Sequence, residues 1–264
     1  MNVGIERWGY AGALIAIYLF LLLPLIFILV VSVNDGPTPT FPPTDISFRW
    51  YAHAIKEDSF VGGAMTSAWL AVAATAIATP LGTAAALGLS RSEFRGKQLI
   101  ELLFLAPLAV PGIVIGIALL IAFVAADVGE APVRLVAAHI LLVLPYSIRT
   151  VLASLAQIDP ALEEAALTLG ASRWSALWLI VLPLTRPGII AGVLFALILS
   201  FDDIALALFL VDANTTTLPV AILSYLQYNF DPSIAAVSSI VIILTLGCAS
   251  LVERTFGLQR LLGG

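Results

Sequence analysis

The chain has 264 residues and a formal net charge of −5, with only 11% charged side chains against 61% hydrophobic ones. Soluble domains carry roughly 25% charged residues, so a soluble globular domain is excluded and an integral membrane protein is indicated. The net charge therefore carries no message about nucleic acid, and no such partner is expected. Cys248 is the single cysteine, which excludes an internal disulfide. The two histidines, His53 and His139, lie too far apart in sequence to suggest a dense metal site.

A helix needs ~20 apolar residues to cross the hydrocarbon layer. Charge-free or nearly charge-free runs of that length predict an all-α integral membrane fold of six transmembrane helices. The spans lie near 9–33, 61–90, 101–125, 134–157, 187–211 and 232–254, in a single transmembrane domain over 1–264. The first run is longer than a signal-peptide core and lacks a small-x-small cleavage pattern, so it reads as a retained span. Residues 34–58 are rich in Pro and Thr and then carry Trp50 and Tyr51. That composition predicts an extended outer segment followed by a short interfacial helix, with the aromatic pair anchored at the headgroups. In the third span, Pro107 and Pro111 each remove a backbone donor and bend the helix, as a packing device or as a gate. The fourth span contains Arg149, and the fifth contains Asp202 and Asp203.

Basic residues set the orientation. With both termini, the 91–101 loop and the 149–186 region in the cytoplasm, that side holds Arg7, Arg91, Arg95, Lys97, Arg149, Arg173, Arg186, Arg254 and Arg260. The opposite side keeps only Arg49, Lys56 and Arg134. The polar segment 158–186 is then cytoplasmic, between spans four and five.

Within that segment, Asp159-Pro160 is a helix start, an Asp cap followed by Pro at the first helical position. Leu162, Ala165, Ala166 and Leu169 fall on one face at helical spacing. Gly170 supplies a left-handed stop, and Ser172 caps the next helix. The result is two short helices at an angle, too polar to span a membrane. Two roles fit: an amphipathic connector lying on headgroups, or a knob that docks in another protein, with Ala165 and Ala166 allowing close approach and Glu163 and Glu164 offering charge.

The same residues carry a family pattern. Glu164-Ala165-Ala166, three residues, Gly170, nine residues, Ile180, one residue, Leu182-Pro183 resembles the EAA motif of ABC importer permeases. LFLAPLAVPGIVIGIALL (103–120), LPLTRPGIIAG (182–192) and SFDDIALALFL (200–210) are similar to the polyamine-type branch of these permeases, and the chain as a whole resembles the six-span second permease of the spermidine/putrescine transport family. The resemblance implies the transmembrane domain of a type I ABC importer in a bacterial inner membrane. Glu163, Glu164, Ala165, Ala166 and Gly170 would then form the coupling helices that enter a cleft on an ATPase subunit. Ile180, Leu182 and Pro183 would pack that unit back onto the membrane helices. No G-x-x-x-x-G-K-[ST] segment is present to hold ATP phosphates. ATP and Mg would be bound by two separate ATPase subunits, and this chain would hold no cofactor or metal. A second, related permease chain (as a heterodimer) and a periplasmic substrate-binding protein complete the implied partners, with membrane lipid around them.

A carboxylate at the membrane centre costs at least ~2.5–3.5 kcal/mol, so Asp202 and Asp203 need an explanation. On one continuous helix they would point ~100° apart. They either sit at a wet vestibule or a helix break, satisfied by Ser200 or backbone groups, or they line the substrate path and attract an amine. Adjacent acids on one helix cannot share a proton across a scissile bond, and no Ser/His pair or HExxH helix is evident, so an enzyme is not expected. An ion-gradient-driven transporter would account for the acids but leaves the 163–183 segment unexplained; a scaffold subunit would use that segment without transport. The expected function is ATP-driven import of a small solute by alternating access. A polyamine such as spermidine or putrescine is the first candidate, and γ-aminobutyrate, an opine or an aminophosphonate are alternatives.

Overall fold

The computed structural model describes residues 3–256, with side chains from Tyr10 to Ser250. Its helices are α1 (Val3–Ser32), α2 (Arg49–Ala54), α3 (Asp58–Arg91), α4 (Lys97–Leu105), α5 (Gly112–Ala125), α6 (Ala131–Leu155), α7 (Pro160–Thr168), α8 (Arg173–Ala176), α9 (Leu182–Phe201), α10 (Ala207–Leu210), α11 (Leu218–Tyr228) and α12 (Ser233–Phe256). Among the described residues there is no strand beyond an isolated bridge between Asn34 and Ile46. Among the described residues, five helices are long and apolar enough to cross a membrane, and the bent pair α4–α5 makes a sixth when counted as one span. Of the basic residues behind the expected orientation, Arg260 lies outside the described residues.

The single domain expected over 1–264 groups into two compact units. One is Met1–Val61 with Ile222–Gly247; the other is Gly62–Ala221 with the chain from Cys248. In the first unit, the segment after α1 is not extended. It winds round the buried Asn34 side chain, whose Nδ2 donates to Thr38 O and Thr40 Oγ1, both at 2.9 Å. Its Oδ1 accepts from the amides of Gly36 and Thr44. The polar ends of the aromatic pair on α2 also turn inward. Trp50 Nε1 donates to Gly36 O at 3.2 Å, and the Tyr51 hydroxyl lies 2.7 Å from both Ser32 Oγ and Ser239 Oγ. An unpaired buried polar group costs more than a hydrogen bond gains, so these rings fasten the loop and α12. Tyr225 donates to Asp231 Oδ2 at 2.8 Å; burial, and the acceptor carboxylate beside it, push its hydroxyl up to about 12 and keep it a donor.

Helix α11 lies between the expected spans 187–211 and 232–254. Its apolar run is 11 residues long, too short to span, and Pro219 opens it as helices tolerate.

The second unit is built on α6. Leu70 of α3, Leu135 and Ala138 of α6, and Leu206, Ala207 and Leu210 form one buried cluster. Ala86, Leu89, Ile148 and Val151 form another nearer the far end of α3. Glycines set how close the helices come. A Cβ on Gly188 would stand 2.6 Å from Thr150 O, and one on Gly192 would stand 2.8 Å from Thr150 Oγ1. Small residues one turn apart let backbones approach, and close van der Waals packing is one driver of helix association in lipid. We expect Gly188→Leu to lower stability by about 1–3 kcal/mol through overpacking. A thermal unfolding midpoint equal to the parent's in detergent would contradict this contact.

The third span is broken, not merely bent. Helix α4 passes into a 3-10 turn at Ala106–Leu108, and α5 restarts at Gly112 with its axis turned by 102°. Proline disfavours the α region for its predecessor, and the first helix ends ahead of Val110-Pro111. Pro111 stands outside the second as its cap, at ψ 131°.

Candidate functional site

The polar segment forms a helical elbow in which each end is satisfied locally. Asp159 Oδ1 accepts the Ala161 amide at 2.9 Å, and Pro160 occupies the first helical position of α7. At the other end, Gly170 has φ +90°, the left-handed region. Its amide donates to Leu167 O and the Ala171 amide donates to Ala166 O, both at 3.0 Å. These two bonds define a Schellman stop, which consumes carbonyls that would otherwise be orphaned. Ser172 Oγ then accepts the Ser175 amide at 3.1 Å and starts α8.

The two glutamates divide. Glu163 Oε2 accepts from Arg91 Nη2 at 2.6 Å, tying α7 to the end of α3. Glu164 and Ala165 are exposed, while Ala166 is half-buried. Apolar groups stand out beside them: Leu169 is 89% exposed and Trp174 68%. Trp174 and Trp178 pack edge to face at 6.0 Å, a pair that sequence reasoning left unassigned. An exposed ion pair contributes ~0.2–1 kcal/mol, so Arg91→Glu should loosen α7 modestly. The swap Arg91→Glu with Glu163→Arg should restore the parent's hydrogen-exchange protection over α7; no recovery in the double variant would remove the tie.

Beyond α8 the helix widens into a π turn at Leu177–Val181 before α9. The cause is Pro183, whose ring collides with the carbonyl four residues back and lacks an amide to bond it. Inserting a residue per turn accommodates both. Ile180, Leu182 and Pro183 are half-buried there, with Val181 and Thr185 fully inside. A cavity of about 1050 Å³ opens between α6 and α9, lined in part by Thr150, Ser154, Gln157, Leu162, Pro187 and Phe195. Leu162 of the elbow thus shares a wall with the membrane helices.

The acids are not on a continuous helix, as a span over 187–211 would have them. Helix α9 ends at Phe201, and α10 begins only at Ala207. Asp203 Oδ2 accepts the amides of Leu206 and Ala207 at 3.0 and 3.1 Å. Aspartate competes with the helix for backbone donors in this way and so favours breaks. Asp203 is enclosed, with its side chain 8% exposed; Asp202 is exposed. Beside them lies a residue that the sequence offered no route to. His139 on α6 is fully buried, with Nδ1 2.8 Å from Ser200 Oγ and Nε2 3.9 Å from Asp203 Oδ2. A lone His in an apolar run carries no sign of a partner 61 positions away. A Ser/His pair therefore exists, contrary to the sequence reading. Ser200 is only 1% exposed, so no substrate reaches its hydroxyl and the arrangement is not a hydrolytic one.

Apolar helices long enough to cross a membrane, with one broken pair and an elbow that exposes Leu169 and Trp174, make up the fold of an integral membrane protein. Residues 78–255 match the family described as binding-protein-dependent transport system inner membrane component. The chain belongs to that family: it is a permease subunit of an ABC importer, not an enzyme, and the ATPase is a separate subunit. It is 31% identical to the spermidine/putrescine transport system permease protein PotC of Escherichia coli strain K12, over 92% of this chain and 91% of that one. To the putrescine transport system permease protein PotI of the same strain it is 32% identical, over 85% and 82%. Among solved structures, a bacterial alginate ABC transporter in complex with an alginate pentasaccharide-bound periplasmic protein matches with a TM-score of 0.73. That match is 17% identical and covers 96% of both chains, a likeness of fold.

Proposed function

We propose that this permease imports a polyamine-like, amine-bearing solute across a bacterial inner membrane, with its termini and the 158–186 elbow in the cytoplasm. A related second permease, two ATPase subunits that bind ATP and Mg, and a periplasmic binding protein complete the transporter. The observation that carries the coupling part is the elbow: its caps are satisfied within the chain, yet Leu169, Trp174 and Glu164 face outward. Glu164, Ala165, Ala166 and Gly170 enter the ATPase subunit, Glu163 ties them to α3, and Ile180, Leu182 and Pro183 connect them to α9. ATP binding draws the ATPases together and shifts the permease pair outward, because the elbow binds the closed ATPase dimer better than the open one. The binding protein releases solute into a path past Asp202, and hydrolysis returns the inward-open state.

The polyamine reading rests on the relatives' transport of spermidine and putrescine, together with an exposed acid at the break. A γ-aminobutyrate-like, opine or aminophosphonate solute is the alternative. Two experiments decide. Uptake into proteoliposomes is expected to need ATP and the co-expressed ATPase; uptake on an ion gradient alone would sink the importer mechanism. The cognate periplasmic protein, screened against amines and amino acids in parallel, is expected to bind spermidine or putrescine, and preference for an amino acid would redirect the substrate.

A further inference from the structure

We propose that His139 and Ser200 are positioning residues for translocation: they form a buried relay that holds Asp203 at the break after α9 and thereby sets the pose of exposed Asp202. This rests on Asp202 being the acid of the substrate path.

For a neutral imidazole the geometry points to one proton arrangement. His139 has no exposed surface, and its Nε2 has no hydrogen-bond partner among the described residues, while Nδ1 is paired with Ser200 Oγ. A buried polar atom left bare is costly, and the acidic oxygen nearest Nε2 is Asp203 Oδ2 at 3.9 Å. Were Ser200 accepting from a neutral imidazole, Nε2 would aim its lone pair at a carboxylate. With a proton on Nε2 the same approach is attractive, and the serine hydroxyl donates to Nδ1. The separation is about 1 Å longer than an N–H···O bond, so imidazole and carboxylate attract without bonding. Asp203 Oδ2 thus accepts two backbone amides from the far side of the break and faces one imidazole nitrogen from α6.

The other side of the break is clamped independently. A Cβ on Gly112 would meet Ala205 Cβ at 2.9 Å, and one on Gly116 would meet Ala205 O at 3.0 Å. Helix α5 thus fixes residue 205, and the relay fixes residues 200 and 203. Asp202 and Ile204, the exposed residues of the break, are held between two fixed points. An acid on an unbroken helix would be placed by that helix; here it is placed by His139 and by α5.

The test uses the assembled transporter in which only this chain is nitrogen-labelled and carries His53→Gln, so that His139 alone reports in the imidazole nitrogen spectrum. A proton on Nε2 is expected, with Ser200→Ala moving the Nδ1 resonance, Asp203→Asn moving the Nε2 resonance and Asp202→Asn moving neither. A proton on Nδ1 only, or indifference to Asp203→Asn, overturns the relay. For transport, His139→Phe is expected to lower ATP-driven putrescine uptake ~10-fold, the effect of one lost interaction in the rate-limiting state. His139→Gln, whose amide takes the place of Nε2–H, should recover most of it. Equal loss in both variants of an assembled complex overturns the positioning role. Absence of putrescine uptake in the parent would instead remove the substrate reading, and the nitrogen spectrum still decides the relay. Where His139→Phe does not assemble, the spectrum decides alone.

Discussion

Gly170→Pro is expected to abolish ATP-driven uptake while leaving the chain in the membrane. Proline holds φ near −65°, and this position requires φ +90°. The substitution also removes the amide that donates to Leu167 O, so both the direction of the turn and half of the Schellman stop are lost. Helix α8 would leave α7 along a different line, and the surface made by Glu164, Ala165, Leu169 and Trp174 would no longer exist as one face. Gly170→Ala separates geometry from bulk. No atom lies within 4 Å of an added Cβ, so the cost is purely conformational, about 1–2 kcal/mol for a left-handed L-residue, and partial uptake should remain. The readouts are uptake by proteoliposomes and capture of the ATPase subunit by the tagged permease. Normal uptake with Gly170→Pro would end the coupling assignment.

That elbow was legible because everything shaping it is local. Asp159, Pro160, Gly170 and Ser172 each act on backbone groups within three residues of themselves, and short-range chemistry can be read in order along a chain. The six apolar crossings were legible because the thickness of the hydrocarbon layer fixes their length. What escaped was set by partners distant in sequence. Nothing in residues 200–210 announces His139, and nothing near Arg91 announces Glu163, 72 positions on. A break at the two acids was one of two readings open from the sequence, alongside a span running through 211, and only the bonds from the Leu206 and Ala207 amides to Asp203 choose between them. The 102° turn at Pro111 was visible as a bend but not as a restart, because two prolines four apart bend a helix or end it, depending on what packs against Gly112 and Gly116.

Asp202 and Asp203 should fail in opposite ways, and that asymmetry is the sharpest consequence of the break. Asp203→Ala removes the acceptor of two backbone amides inside an enclosed site, each a hydrogen bond to a charged group. A loss of about 2–4 kcal/mol is expected, read as a lower unfolding midpoint of the purified complex. Asp203→Asn keeps a carbonyl oxygen for those amides and should lose much less. Asp202→Asn should leave stability within about 0.5 kcal/mol, as exposed substitutions do, yet reduce uptake of an amine. At ~4 Å, an ammonium and a carboxylate attract by roughly 4 kcal/mol at an effective dielectric of 20. Desolvation offsets much of that, and a remainder of about 1.4 kcal/mol corresponds to a tenfold fall in uptake. A stable, fully active double variant Asp202→Asn, Asp203→Asn would remove both carboxylates from the substrate path. If instead Asp202→Asn assembles but transports poorly, while Asp203→Asn assembles and transports, the path has one acid. The second then serves the backbone, and charge selectivity rests on the residue that the break leaves exposed.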